Sequence, residues 1–263
     1  MPDDEFRILF VADVVGQPGR EAVKAILPAL KREVRPHLTV LNGENAAGGF
    51  GLTAKIASEL KGAGADVITS GNHAFAQKEF VGELPNLDRV LRPANYPPTA
   101  PGQGWCTLEV EGHQVLVMNL IGRIFLDPLD DPFRAADAIL ASHPEARIVF
   151  CDMHAEATSE KSAMGWYLNG RASAVVGTHT HIATADARVL PGGTAYVTDV
   201  GMVGPRDSCI GMDKDVVIQR FLTGVPNRFV VASGPVTFNS ILVSINGSTG
   251  RATSIQRIDR EHV

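Results

Sequence analysis

Residues 173–181 read Ser-Ala-Val-Val-Gly-Thr-His-Thr-His, and the reading of this stretch decides the rest of the chain. Ala174-Val175-Val176 has the length and β-branched content of a buried strand, and Gly177 ends the apolar run. His179 and His181 then stand two positions apart, which in extended backbone puts both imidazoles on one side. Neutral imidazole is the commonest protein ligand for metals, so the pair is a candidate metal site. Two loop histidines that only hydrogen-bond would have the same local sequence.

Other apolar runs end in the same way. Residues 8–12 (Ile-Leu-Phe-Val-Ala) read as a strand buried on both faces and stop at Asp13. Residues 38–41 stop at Asn42-Gly43-Glu44-Asn45, residues 67–70 at Gly71-Asn72-His73, and residues 148–151 at Asp152-Met153-His154. Helical spacing lies between them. Val23, Ile26, Leu27 and Leu30 mark a helix over 21–33, Thr53 caps one to about Lys61, and another is expected over 74–81. Asp131-Pro132 opens a helix to Ser142, and Thr158 or Ser159 is expected to cap one running to Leu168. Strand–helix alternation predicts a parallel sheet whose functional groups gather outside the carboxyl ends of its strands.

The remaining segments look antiparallel. Residues 105–110 and 114–120 predict a hairpin turning at 111–113, and strands are expected over 194–198, 236–245 and 252–258. With no linker, repeat or low-complexity tract, residues 1–263 are expected to form a single domain. The expected fold class is α/β, a four-layer αββα sandwich of two mixed β-sheets flanked by helices.

Composition sets outer bounds. Hydrophobic residues make up 44% and charged residues 20%, enough for a sizeable core. A net charge of −5 argues against a basic face for long nucleic acids. Cys106, Cys151 and Cys209 are scattered and odd in number, which fits a reducing cytoplasm better than a disulfide framework. No apolar run approaches the roughly 20 residues needed to span a bilayer, so a cytoplasmic protein without a membrane partner is expected.

Each strand-end residue has an ordinary explanation by itself. Asp13 could cap a helix, Asn-Gly-Glu-Asn and Gly-Asn-His could be turns, and His154 could be a satisfied core histidine. Their joint placement argues otherwise. Four of the eight histidines follow apolar runs, whereas His37, His113, His143 and His262 sit in polar contexts and read as surface residues. Asp13, Glu44, Asn45, Asn72, His154, His179 and His181 are too many ligands for one ion and suit two. Carboxylate, amide and imidazole without thiolate point to manganese, iron or zinc. A two-metal site needs a bridging carboxylate, and Glu44 is placed for it. Two divalent ions outweigh two carboxylates, which favours a phosphate anion as substrate.

Asp13, Gly43-Glu44-Asn45, Gly71-Asn72-His73, His154 and Gly177-Thr-His179-Thr-His181 resemble, in order and over most of the chain, the calcineurin-like metallophosphoesterase signature. The details are closer still to the bacterial YmdB-like family. There the second histidine of the first motif is missing (Val15 stands in its place here), the bridging residue is Glu, and Asn follows it. Residues 152–161 and 198–205 also resemble that family. The resemblance implies that Asp13, Glu44, Asn45 and His181 hold one metal and Glu44, Asn72, His154 and His179 the other. It implies that His73 is the catalytic acid, and its place directly after a ligand puts it at the rim of such a site. The implied activity is hydrolysis of small phosphodiesters, including 2′,3′-cyclic nucleotides, with a metal-activated water and iron or manganese.

Two other readings stay open: a phosphomonoesterase or nucleotidase, and a regulatory or scaffold protein of the same fold with little activity. The apolar segment 124–126 could be an interface for a partner of such a scaffold, and residues 121–129 could pack in a homo-oligomer. The Gly48-Gly49-Phe50-Gly51 loop reads as a flexible turn that could also close over substrate. Residues 158–161 could set backbone N–H groups and Lys161 near a phosphate, or be no more than an ordinary helix start.

Overall fold

The computed structural model describes residues 4–263. Its first strand, Glu5–Val11, shows why the apolar runs lack alternation. Ile8 and Phe10 point into one hydrophobic cluster, Leu9 and Val11 into another, and all four are fully buried. Successive strand residues face opposite ways, so a strand with apolar layers on both sides must be apolar throughout.

Two mixed sheets follow. The first has the strand order Ala252–Arg257, Ser240–Asn246, Glu5–Val11, Leu38–Asn42, Val67–Thr69, parallel among the last three and antiparallel otherwise. The second runs Trp105–Val110, His113–Ile121, Ile148–His154, Ala174–Thr178, Ala195–Val197, Arg188–Val189, with a parallel centre and antiparallel edges. Their facing sides share one core in which Phe10 and Phe150 meet at 5.4 Å between ring centroids. Helices Gly16–Val34 and Ala54–Gly62 cover the outer face of the first sheet through Val23, Leu27, Leu30 and Leu60. Helices Pro132–Ser142 and Thr158–Tyr167 cover that of the second through Ala136, Ile139 and Met164. The αββα arrangement is therefore present, and the central parallel strands point their carboxyl ends the same way.

Local signals explain several boundaries. Thr53 caps its helix by accepting from the Ile56 amide, and Asp131 accepts from the Phe133 and Arg134 amides. Glu111 and Gly112 both take positive φ (50° and 80°), so the hairpin closes in two residues rather than the three expected. The helix expected over 74–81 instead spans Lys78–Glu83, because Ala74 and Ala76 are held in turns by Gly71 and His73 carbonyls. The strand expected over 236–245 breaks at Asn239 into Val236–Phe238 and Ser240–Asn246.

That break belongs to a third, small sheet in addition to the two expected. It has the order Arg260–His262, Val236–Phe238, Met202–Pro205, Asp13–Val14. The Ala12 amide donates to the Asn239 carbonyl, so both chains leave the first sheet at the same level. A further helix, Lys214–Thr223, has an Asp213 cap and a left-handed Gly224 at its end, start and stop signals that the sequence reading passed over. Among the described residues, no helix is long and apolar enough to cross a membrane.

Candidate metal centre

All eight sequence-selected residues lie at the same end of the sheets. Asp13 starts the third-sheet strand, Glu44-Asn45 and Asn72-His73 follow the first sheet's parallel strands, and His154 closes Ile148–His154. Gly71 permits the approach: a Cβ there would collide with the Glu44 carboxylate and the His154 ring. Gly177 is under the same restriction from the Thr198 backbone.

His179 and His181 arrive by a different route from the one expected. The strand stops at Thr178, and both histidines adopt positive φ, 97° and 63°. Non-glycine residues rarely hold that conformation, and such strain concentrates at functional sites. The imidazoles line the same cavity but enter different ligand groups. His179 joins Glu44 and His154, whereas His181 joins Asp13 and Glu44; within each trio the ligand atoms lie within 4.8 Å of one another. Glu44 is common to both.

The donor set fits cations. His154 Nε2 lies 3.0 Å from Asn72 Oδ1, 3.0 Å from His179 Nδ1 and 3.2 Å from Glu44 Oε2. One ring nitrogen cannot satisfy three such neighbours with a single proton. Asp13 Oδ1 is buried without any hydrogen-bond donor. Charge shows the same tension. Burial opposes ionisation of His154, but the Glu44, Asp13 and Asp152 carboxylates outweigh it and raise its pKa to about 9. Burial, together with the charge of His154, drives His179 down to about 3. Burial also pushes Asp13 well above the ordinary carboxylate range. Burial disfavours ionised Glu44 too, yet His154 and His73 hold its pKa well below that range. These opposed shifts mark groups arranged for more positive charge than the chain itself supplies.

Asn45 and His73 form the rim. Asn45 Nδ2 sits 2.9 Å from Glu44 Oε1 and 3.1 Å from His181 Nε2, and its Oδ1 is 2.8 Å from His73 Nδ1. In this orientation the amide nitrogen, which cannot ligate, faces the Asp13–Glu44–His181 group. The half-buried His73 ring meets Phe50 edge-on at 5.1 Å. The loop carrying Phe50 is tied down: the Gly49 amide donates to the Asn45 carbonyl, and Gln77 Nε2 to the Phe50 carbonyl.

Supporting residues that the sequence reading did not assign lie beneath. Asp152, fully buried, accepts from Asn42 and Thr178, and the Thr178 hydroxyl contacts His154 Nδ1 at 2.9 Å, fixing the ring. Glu156 contacts His179 Nε2 at 3.0 Å. Lys161 is 1% exposed, which favours the ordinary helix start over the phosphate contact among the readings left open by the sequence. It donates to buried Asp199 at 2.8 Å, and Asp199 accepts from the Thr180 amide and hydroxyl between the two histidines. Lys161→Met would strand that buried carboxylate. The expected cost is about 3–5 kcal/mol, or a fall in Tm of roughly 10 °C. A melt within 2 °C of wild type would show that the pair does not brace the histidine turn. His37, His113, His143 and His262 are half-buried and lie outside both ligand trios.

A cavity of about 550 Å³ opens onto this centre; Glu44, Asn45, His73, His179 and His181 line it on one side. The helix Lys214–Thr223, missing from the sequence reading, contributes to the other side.

Comparison with known proteins agrees with this geometry. The chain is 53% identical over 256 residues to a 2′,3′-cyclic-nucleotide 2′-phosphodiesterase of Bacillus subtilis, covering 96% of each chain. It superposes with a TM-score of 0.94 on a crystal structure described as a novel phosphatase from Mycoplasma pneumoniae, at 31% identity over 98% of this chain and 94% of that one. A 5′-nucleotidase precursor from Thermus thermophilus shares the fold alone: 12% identity, a TM-score of 0.58, and 97% and 54% coverage. The YmdB-like protein family model matches residues 9–258, and the chain therefore belongs to that family.

Proposed function

We propose that this protein is a metal-dependent phosphoric diester hydrolase that opens 2′,3′-cyclic nucleotides, working with two transition-metal ions. The observation that carries the proposal is the pair of ligand groups sharing Glu44 at the floor of a cavity rimmed by His73, in a chain similar throughout to a named 2′,3′-cyclic-nucleotide phosphodiesterase. Asp13, Glu44 and His181 would hold one ion, with the Asn45 carboxamide at its edge and its Oδ1 kept on His73 Nδ1. Glu44, Asn72, His154 and His179 would hold the other. Oxygen and imidazole donors without thiolate favour iron or manganese, with zinc as the alternative. Bound ions would supply positive charge against the phosphate oxygens and activate the attacking water.

The chain's own groups do the rest. The turn through His179 and His181 keeps the ligands converged. His73 protonates the ribose oxygen as its bond to phosphorus breaks, while Asn45 holds the ring through Nδ1. One P–O bond forms to the water oxygen, the P–O bond to one ribose oxygen breaks, and the product is a nucleoside monophosphate. The whole chain is read as one catalytic domain, and its three free cysteines fit a reducing cytoplasm.

Metal analysis together with turnover of 2′,3′-cyclic AMP, bis-p-nitrophenyl phosphate and p-nitrophenyl phosphate tests this. The expected result is about two ions per chain and a preference for the diesters. Metal-replete protein without diesterase activity would overturn it, and preference for the monoester would assign a phosphatase instead.

A further inference from the structure

The cavity above the metal centre has two chemically distinct sides. Its floor carries the carboxylate, amide and imidazole groups described above; its walls carry Phe50, Met212, Val217, Ile218, Phe221 and Phe229. Phe221 is 84% exposed, and Ile218 and Phe50 are also open to solvent. Large apolar groups held in water beside a polar, anion-seeking floor have no role in the core, since Phe221 and Phe229 belong to none of the three hydrophobic clusters. Asp213 caps the helix and Gly224 ends it, so Phe221 is carried on a defined element rather than a loose loop.

We infer that this wall is a stacking site for the nucleobase of the substrate, one that binds any base rather than reading its edges. The inference rests on the diesterase reading of the floor. A cyclic phosphate seated there has a base attached one ribose away, within a space whose 550 Å³ falls in the usual range for small-molecule sites. Aromatic and aliphatic side chains hold a base by its π-face, which all four bases share. Discrimination between bases would require buried polar side chains aimed at the base edge. The six wall residues offer none, and the polar side chains elsewhere in the lining are engaged, Glu156 with His179 and Thr180 with Asp199.

The test compares kcat/KM for the 2′,3′-cyclic phosphates of adenosine, guanosine, cytidine and uridine with that of a base-free methyl riboside 2′,3′-cyclic phosphate. The four nucleotides are expected to agree within about tenfold and all to exceed the base-free diester. Phe221→Ala, at a position too exposed to support the core, should cut the ratio of nucleotide to base-free kcat/KM by about fivefold or more. A hundredfold preference for one base, or an unchanged ratio in Phe221→Ala, would overturn the stacking site while leaving the diesterase reading intact. A fall in particle mass by light scattering with the ratio unchanged would assign the face to a second copy of the chain and equally overturn it. Failure to turn over any of these diesters would instead count against the diesterase reading itself.

Discussion

Glu44→Gln is expected to remove metal and activity together. Glu44 is the only residue shared by both ligand groups, and it is 1% exposed. Glutamine has nearly the same shape, so the side chain still fits between Gly71 and His154, but it lacks the charge and the second anionic oxygen that a bridge requires. Two-metal sites provide several kcal/mol of transition-state charge stabilisation, so kcat/KM for a cyclic nucleotide should fall by about 10³-fold or more. Metal content, read by elemental analysis, should drop from about two ions to less than one. A second readout follows from His154. In the metal-free protein its neighbouring carboxylates hold its proton up to about pH 9, so at pH 7.5 a cation arriving at Nε2 must displace that proton. Calorimetry in buffers of different ionisation enthalpy should therefore detect proton release on metal uptake by the wild type. In Glu44→Gln the largest favourable charge partner of His154 is gone, the His154 pKa falls, and less proton is released per ion. A variant that keeps full metal content and turnover would show that Glu44 bridges nothing.

Much of this centre was visible in the sequence for one physical reason. Parallel strands buried on both faces read as short apolar runs, and the first polar residue after each run marks a carboxyl end where side chains of different strands meet. Asp13 is such a residue, and Glu44, Asn72 and His154 stand within three positions of such an end, so their meeting needed no long-range inference beyond the strand assignments. His179 and His181 both reach the ligand groups, but not by the route that strand alternation suggests. Strand alternation would have aligned them, whereas positive φ at both sends them to different partners. Backbone of that kind carries no sequence signal when the residue is not glycine.

The supports beneath the ligands were hidden differently. Asp152 and Lys161 are charged residues inside apolar or helical patterns, and sequence alone does not show that Thr178 and Asp199 satisfy them. The third sheet was hidden by brevity, since Asp13–Val14 is two residues long and Met202–Pro205 ends in a proline typical of turns. The helix Lys214–Thr223 did announce itself through Asp213 and Gly224. Its exposed apolar side does not resemble a core-facing stripe, because that side lines a cavity instead of packing on a sheet.

His73→Ala should separate acid catalysis from ligation. The ring belongs to neither ligand trio; its Nδ1 lies 2.8 Å from Asn45 Oδ1 and 3.5 Å from Glu44 Oε1, and the ring meets Phe50 edge-on. Nδ1–H donated to that amide oxygen leaves Nε2 to carry the transferable proton. Metal content and Tm should therefore stay close to wild type, while kcat for 2′,3′-cyclic AMP falls by about 10²–10⁴-fold, the usual contribution of a positioned acid. The size of the loss must depend on the leaving group. A ribose hydroxyl departs poorly as an alkoxide and needs the proton, whereas p-nitrophenolate is stable as an anion and does not. Bis-p-nitrophenyl phosphate should thus be hydrolysed by His73→Ala at a rate within about tenfold of wild type. Equal losses on the two substrates would mean that His73 acts by holding metal or substrate, not by moving a proton, and a loss of bound metal would place it among the ligands.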